Sequence, residues 1–378
     1  MSEPVATSDS DLLNALRRDM ERQEIDLLLA FHDGAHFIEK PNPVMALSGF
    51  KSLGHALAIL PREGAGTLGV TPHWDAGRAG EHGFGKDTIG ADDVVEALAG
   101  YLAQRSTPAA RIGTAGLGGM PWSVERRVSE LLRGEARPAD KLVYAGARRK
   151  TPEQIANARR AAAIAERGFE RLREIARPGM CEDETAVELQ LFMKSLGAED
   201  NFLMLCAGAH NRAVQPSSGR QLERGDIILA EITSSYRGQL AQICRTAVLG
   251  QASDTLRRGY DLVVDSMKRG IAAARPGATM ADVCRAIDSI LEAKGYGEFC
   301  RPPHIRRRGH GLGFGSNMPG DVSVDNPTTL EAGMFFVIHP NQYLPETGYL
   351  LCGEPVLITE HEPELLSENL ASLAVIPI

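Results

Sequence analysis

Apolar and polar positions follow two different rhythms along the first part of the chain. The stretch "SDLLNALRRDMERQ" repeats apolar residues at helical spacing, with Ser10 placed to cap the helix. "IDLLLAF" follows as a short buried strand. "ALAIL" and "GTLGV" predict two more strands, joined by the turn "PREGA". "ADDVVEALAGYLAQ" and "PWSVERRVSELL" return to the helical period. Helices alternating with short apolar strands predict a smaller α/β domain over residues 1–148.

The pattern restarts at "YAGARRKTPEQ", and a second domain is expected over residues 149–378. Thr151, Pro152 and Gln154 supply a cap, a proline at the first helical position and a glutamine able to close a capping box. A long helix follows and stops at "ARPG". The same tetrapeptide occurs at Ala176–Gly179 and Ala274–Gly277. Each copy ends a long helix, precedes a second helix and leads into strand-like sequence. This internal repeat predicts an α+β domain with pseudo-two-fold symmetry, a curved antiparallel sheet, helices outside and a site between the halves. "DIILAEITSSYRGQLAQICRTAVLG" predicts a hairpin through "SSYRGQ". "GMFFVIHPNQYLPETGYLLCGEPVLIT" predicts another, turning at "LPETG".

A length of 378 residues suits two domains. With 43% hydrophobic and 24% charged residues the composition is that of a folded globular protein. A net charge of -8 argues against nucleic acid or an anionic membrane as partner. The local exception, "RRRGH" at Arg306–His310, is either a solvated loop or a clamp for a substrate carboxylate. The N-terminus has neither a basic segment nor an apolar run, so no signal peptide is expected, and no apolar run approaches a membrane span. The six cysteines lack zinc-type spacing and are expected to be reduced thiols in a cytoplasmic protein.

Polar residues inside apolar strands mark the candidate site: Glu231, Gln242, His339 and Glu354. A buried polar group is costly unless it is paired, so four of them on neighbouring strands suggest a shared pocket. His210 sits in the small-residue loop "CAGAHNRA", and His310 sits among glycines that allow close approach of a ligand. Arg308 precedes His310. Asn317 follows the glycine-rich turn and is placed to line the pocket.

Four motifs together resemble the pita-bread family of methionine aminopeptidase, aminopeptidase P, prolidase and creatinase: "LERGDIILAEI…YRGQLAQICRTAVLG", "RRGHGLGFG", "LEAGMFFVIHP" and "GYLLCGEPVLIT". The resemblance runs from Thr151 to the C-terminus, and the first part is similar in size and pattern to the creatinase/prolidase N-terminal domain. It implies positions for the peptidases' two metal ions, held in the family by two Asp, one His and two Glu. Those positions carry Glu231, Gln242, His310, His339 and Gly353 here, with Glu354 beside the last. Paired divalent ions need bridging carboxylates, so an amide and a glycine argue against the dinuclear site. The "GAHN" segment resembles creatinase, the family's metal-free enzyme, and places its catalytic histidine on His210. Creatinase's strand glutamates fall on Cys244 and His339, which puts creatine itself in doubt as substrate. Ectoine hydrolase is another family member acting on a small cyclic amidine.

The resemblance implies a homodimeric, metal-independent hydrolase without cofactor, cleaving a C–N bond in a small amide, amidine or ureido compound. His210 is expected to act as general base and then as acid, with His310 and His339 holding the oxyanion. Glu231, Gln242, Glu354, Arg308 and Asn317 are expected to contact the substrate. The partner subunit's N-terminal domain would help to close the site. Three alternatives stay open: a single Fe(II) or Zn(II) on Glu231, His310 and His339, an aminopeptidase P-like peptidase, and a non-catalytic binding module.

Overall fold

The computed structural model describes residues 9–104, 111–316 and 318–378. The chain forms two compact units, Met1–Thr151 and Pro152–Ile378.

The first unit is built on a six-stranded sheet. Its strands are β1 (Leu27–His32), β2 (Ala56–Pro61), β3 (Gly66–Val70), β4 (Gly85–Gly90), β5 (Ile112–Ala115) and β6 (Arg137–Pro138). They lie in the order β4-β3-β2-β1-β5-β6. β1, β2 and β3 run antiparallel as consecutive neighbours, whereas β4, β5 and β6 pair in parallel. The helices are α1 (Asp9–Arg22), α2 (Pro43–Ser48), α3 (Ala76–Glu81), α4 (Val94–Ala103), α5 (Trp122–Leu131) and α6 (Asp140–Ala147). Leu29, Phe31, Leu57 and Ile59 of the sheet pack with Val94 and Leu98 of α4 and Val128 of α5. One expectation is corrected: α1 is already formed at Asp9, so Ser10 lies inside its first turn and is not the cap.

In the second unit each half opens with a helix pair. α7 (Pro152–Ile175) and α8 (Glu182–Ser195) precede β7 (Asn201–Gly208), β8 (Ile227–Tyr236) and β9 (Gln239–Leu249). α9 (Asp254–Ala273) and α10 (Met280–Ala293) precede β10 (Gly309–Gly311), β11 (Phe335–Ile338), β12 (Gln342–Leu344), β13 (Gly348–Leu350) and β14 (Glu354–Leu357). The short strands β15 (Glu364–Leu365) and β16 (Ala374–Ile376) complete two four-stranded sheets, β16-β9-β8-β7 and β10-β11-β14-β15.

The repeat is structural as well as sequential. The glycine that closes each "ARPG" takes a left-handed conformation, with φ 85° at Gly179 and 89° at Gly277. A side chain would be strained there. The N–H of Gly179 donates to Leu222 O (2.8 Å), and that of Gly277 donates to Leu330 O (2.9 Å). Leu222 opens "LERGD" and Leu330 opens "LEAGM", just ahead of β8 and β11. Glu231 and His339 stand at the same distance beyond these two leucines, so the repeat makes them counterparts.

Candidate functional site

The seam between the two sheets is where the polar strand residues gather. β8 and β9 form a hairpin whose turn, Arg237 and Gly238, has φ 45° and 76°, the left-handed pair that a two-residue hairpin requires. Its register sets Glu231 opposite Cys244 and Thr233 opposite Gln242. A directed chain of hydrogen bonds runs across it. Thr233 Oγ1 donates to Gln242 Oε1 (3.3 Å), Gln242 Nε2 donates to Cys244 Sγ (3.5 Å), and Cys244 Sγ lies 3.9 Å from Glu231 Oε2. Burial, reinforced by Glu231, raises the Cys244 thiol well above its usual range. Cys244 is therefore a thiol and not a thiolate nucleophile.

The second half meets the first at Cys244. Its N–H donates to Gly353 O (3.1 Å), and Gly353 N–H donates to Cys244 O (3.0 Å). The β11–β14 ladder pairs Ile338 with Glu354, which leaves His339 beside Gly353. A Cβ on Gly353 would lie 2.6 Å from His339 Cβ and 3.1 Å from Cys244 Cβ. No side chain fits at position 353 while His339 keeps its place.

His339 and His310 form a buried pair, with ring centroids 5.2 Å apart and planes at 66°. Their neighbours fix different tautomers. His310 Nδ1 lies 2.9 Å from Gly311 O, and a carbonyl only accepts, so Nδ1 carries the proton and Nε2 is the acceptor nitrogen. His339 Nδ1 lies 3.3 Å from Asn341 Nδ2. The amide of Asn341 is oriented by Cys352 N–H, which donates to Asn341 Oδ1 (3.1 Å). Nδ2 is then a donor, His339 Nδ1 accepts, and the ring proton sits on Nε2. Burial, followed by His310 and Arg307, holds the pKa of His339 well below 6.5, so the ring is neutral.

This donor set does not fit the family's paired metals. Of the five positions, one carries an amide that is spent on Thr233 and Cys244, and one has no side chain. Among the described residues no group of three or more His, Cys, Asp and Glu side chains is arranged to hold a metal ion. Glu231, His310 and His339, the set expected for a single ion, do not form such a group.

Other expectations change with the geometry. Glu354 is fully buried on the strand face opposite to Gly353. Its carboxylate accepts from Arg245 Nη2 (3.1 Å), Ser367 Oγ (2.5 Å) and Ala371 N–H (2.6 Å), so it is engaged in a buried ion pair with the protein. Arg308 is held by protein groups as well. Its Nε binds Asp288 (2.7 Å), and its Nη1 binds the carbonyls of Pro340 and Asn341 and Gln342 Oε1 (3.0 Å). It holds the turn after His339 and is only 1% exposed. Gln242 is buried with both ends of its amide engaged by the hairpin. Asn317 lies outside the described residues.

His210 is exposed near the β12–β13 hairpin. Its Nε2 donates to Pro345 O (2.9 Å), and its ring meets Tyr343 edge-on at 5.8 Å. His304 stacks on the same Tyr343 at 5.5 Å. Sequence reasoning missed Asn341 and Tyr343. Both follow His339 closely in the chain, and the signal in "HPNQY" was an asparagine after a proline, the mark of a turn. His310 was expected to share the oxyanion with His339. With Nδ1 on Gly311 O, the neutral ring offers Nε2 as an acceptor.

The sequence pattern of metallopeptidase family M24 matches residues 156–360. The uncharacterized peptidase YqhT of Bacillus subtilis (strain 168) is 30% identical over 230 residues, 60% of this chain and 64% of its own length. The Xaa-Pro dipeptidase of Pyrococcus furiosus is 30% identical over 223 residues, 58% of this chain and 63% of its own. The matched span thus covers less than two thirds of these relatives. Among solved structures, the prolidase from Pyrococcus horikoshii OT3 superposes with a TM-score of 0.83 at 22% identity, covering 96% of this chain and 99% of that one. The prolidase from Pyrococcus furiosus superposes at 0.78 with 25% identity, covering 93% and 99%.

Proposed function

Since the chain belongs to metallopeptidase family M24 and has its pita-bread fold, we propose that it hydrolyses a C–N bond in a small amide-containing molecule, with histidines doing the proton work. The observation that carries this reading is the His310–His339 pair, one acceptor nitrogen and one donor nitrogen buried at the family's metal positions. The names of the relatives make Xaa-Pro dipeptides the first substrates to try, ahead of cyclic amidines and ureido compounds.

In the proposed reaction His310 Nε2 takes a proton from water as its oxygen attacks the carbonyl carbon. His339 Nε2–H donates to the carbonyl oxygen as it gains negative charge. The tetrahedral carbon then expels nitrogen, which receives the proton. The C–N bond is replaced by a C–O bond, and the balance is one water consumed. The proton that reaches the leaving nitrogen is the one His310 Nε2 took from water; His210, whose Nε2–H is held by Pro345 O, gives up to His310 the base and acid role first expected of it. Glu231 is proposed to orient the substrate amine. A homodimer is proposed as well, with the exposed Trp74 and Trp122 of the N-terminal unit available to a partner subunit.

The test is turnover of a panel of Xaa-Pro dipeptides, small amides, cyclic amidines and ureido compounds. At least one class is expected to be hydrolysed, and His310→Ala is expected to lower kcat by roughly 10²–10⁴-fold, the range for a lost general base. Failure to turn over any class, or a His310→Ala variant of unchanged kcat, overturns the reading.

A further inference from the structure

We propose that Asn341 is the positioning residue that commits His339 to hydrogen-bond donation and withholds it from metal. This deepens the proposed function and rests on it for its consequence, but the geometry stands by itself. A histidine that binds a metal through one ring nitrogen donates the other N–H to a carbonyl or carboxylate. His310 has that arrangement, with Nδ1–H on Gly311 O. His339 has the reverse: its Nδ1 faces the amide NH2 of Asn341. A metal on Nε2 would need a proton on Nδ1, and that proton would point at another donor.

The orientation of Asn341 is held from two sides. Cys352 N–H engages Oδ1, so exchanging O and N of the amide would set N–H against N–H. The turn that carries Asn341 is clamped by Arg308, itself paired with Asp288. Asn341 has φ 20°, a conformation in which asparagine is enriched. The pair therefore presents one acceptor and one donor to a neutral group. A carbonyl beside a water molecule matches it, whereas a divalent cation requires two lone pairs.

The test uses the full chain with 15N-labelled histidine and long-range proton–nitrogen correlation spectra near neutral pH. His339 is expected as the Nε2–H tautomer and His310 as the Nδ1–H tautomer. In Asn341→Asp the carboxylate can only accept, so His339 is expected to switch to Nδ1–H. Titration with Co2+ alone is expected to show at least tenfold tighter binding to Asn341→Asp than to the unaltered chain. A wild-type His339 carrying its proton on Nδ1 overturns the proposal, and so does an Asn341→Asp spectrum with no switch. If Asn341→Asp fails to fold, the wild-type tautomers decide. Neither readout needs turnover: a wrong tautomer refutes the role of Asn341 alone, and an inactive protein with the expected tautomers refutes only the hydrolase reading.

Discussion

At His339 burial determines what the ring does. Burial, then His310 and Arg307, depress its pKa well below 6.5, so the folded chain refuses a proton that the unfolded chain accepts near 6.5. Its contribution to stability is complete above that pH and is lost as pH falls below it. His32 of the first unit, lowered to about 4 by burial and the neighbouring His36, has the same sign. Denaturant titrations at pH 7 and pH 5 should therefore show wild-type stability falling on acidification, with a smaller fall in His339→Gln. Equal falls would mean that His339 titrates normally. The sequence exposed His339 as a polar residue in an apolar run. It did not reveal the tautomer, because that depends on Asn341 beyond Pro340, on a backbone bend that no periodicity encodes.

Strand register decides between Gly353 and Glu354. Side chains alternate faces along a strand, so Glu354 replaces a ligand at 353 only if the strand slips by one residue. The ladder pairing Ile338 with Glu354 prevents the slip, and Arg245, Ser367 and Ala371 retain the carboxylate on the other face. Burial raises the pKa of Glu354 against the opposing pull of Arg245. Glu354→Ala leaves Arg245 buried without its carboxylate and should cost about 3–5 kcal/mol in urea unfolding. A loss below about 1 kcal/mol would mean that Arg245 finds other partners. The hairpins and the helix pairs were legible from apolar runs, turn residues and "ARPG". The facing of Glu354 and the engagement of Arg308 were not, since both depend on partners distant in sequence.

Over the whole molecule, duplication explains where the site lies. Two helix–helix–sheet halves each contribute one strand position to the seam, Glu231 from one and His339 from the other. Cys244 and Gly353 bond the halves together there. A relative that keeps paired metals needs carboxylates from both halves. In this chain the second half supplies a neutral histidine and a glycine whose missing side chain makes room for it. The reading proposed for the seam is that it works through these hydrogen bonds and not through metal. It is tested most directly by turnover of a hydrolysed substrate before and after exhaustive chelation, with metal content measured in the same samples. Unchanged turnover is expected in metal-depleted protein. Activity abolished by chelation and restored by Mn2+ or Co2+ would contradict it.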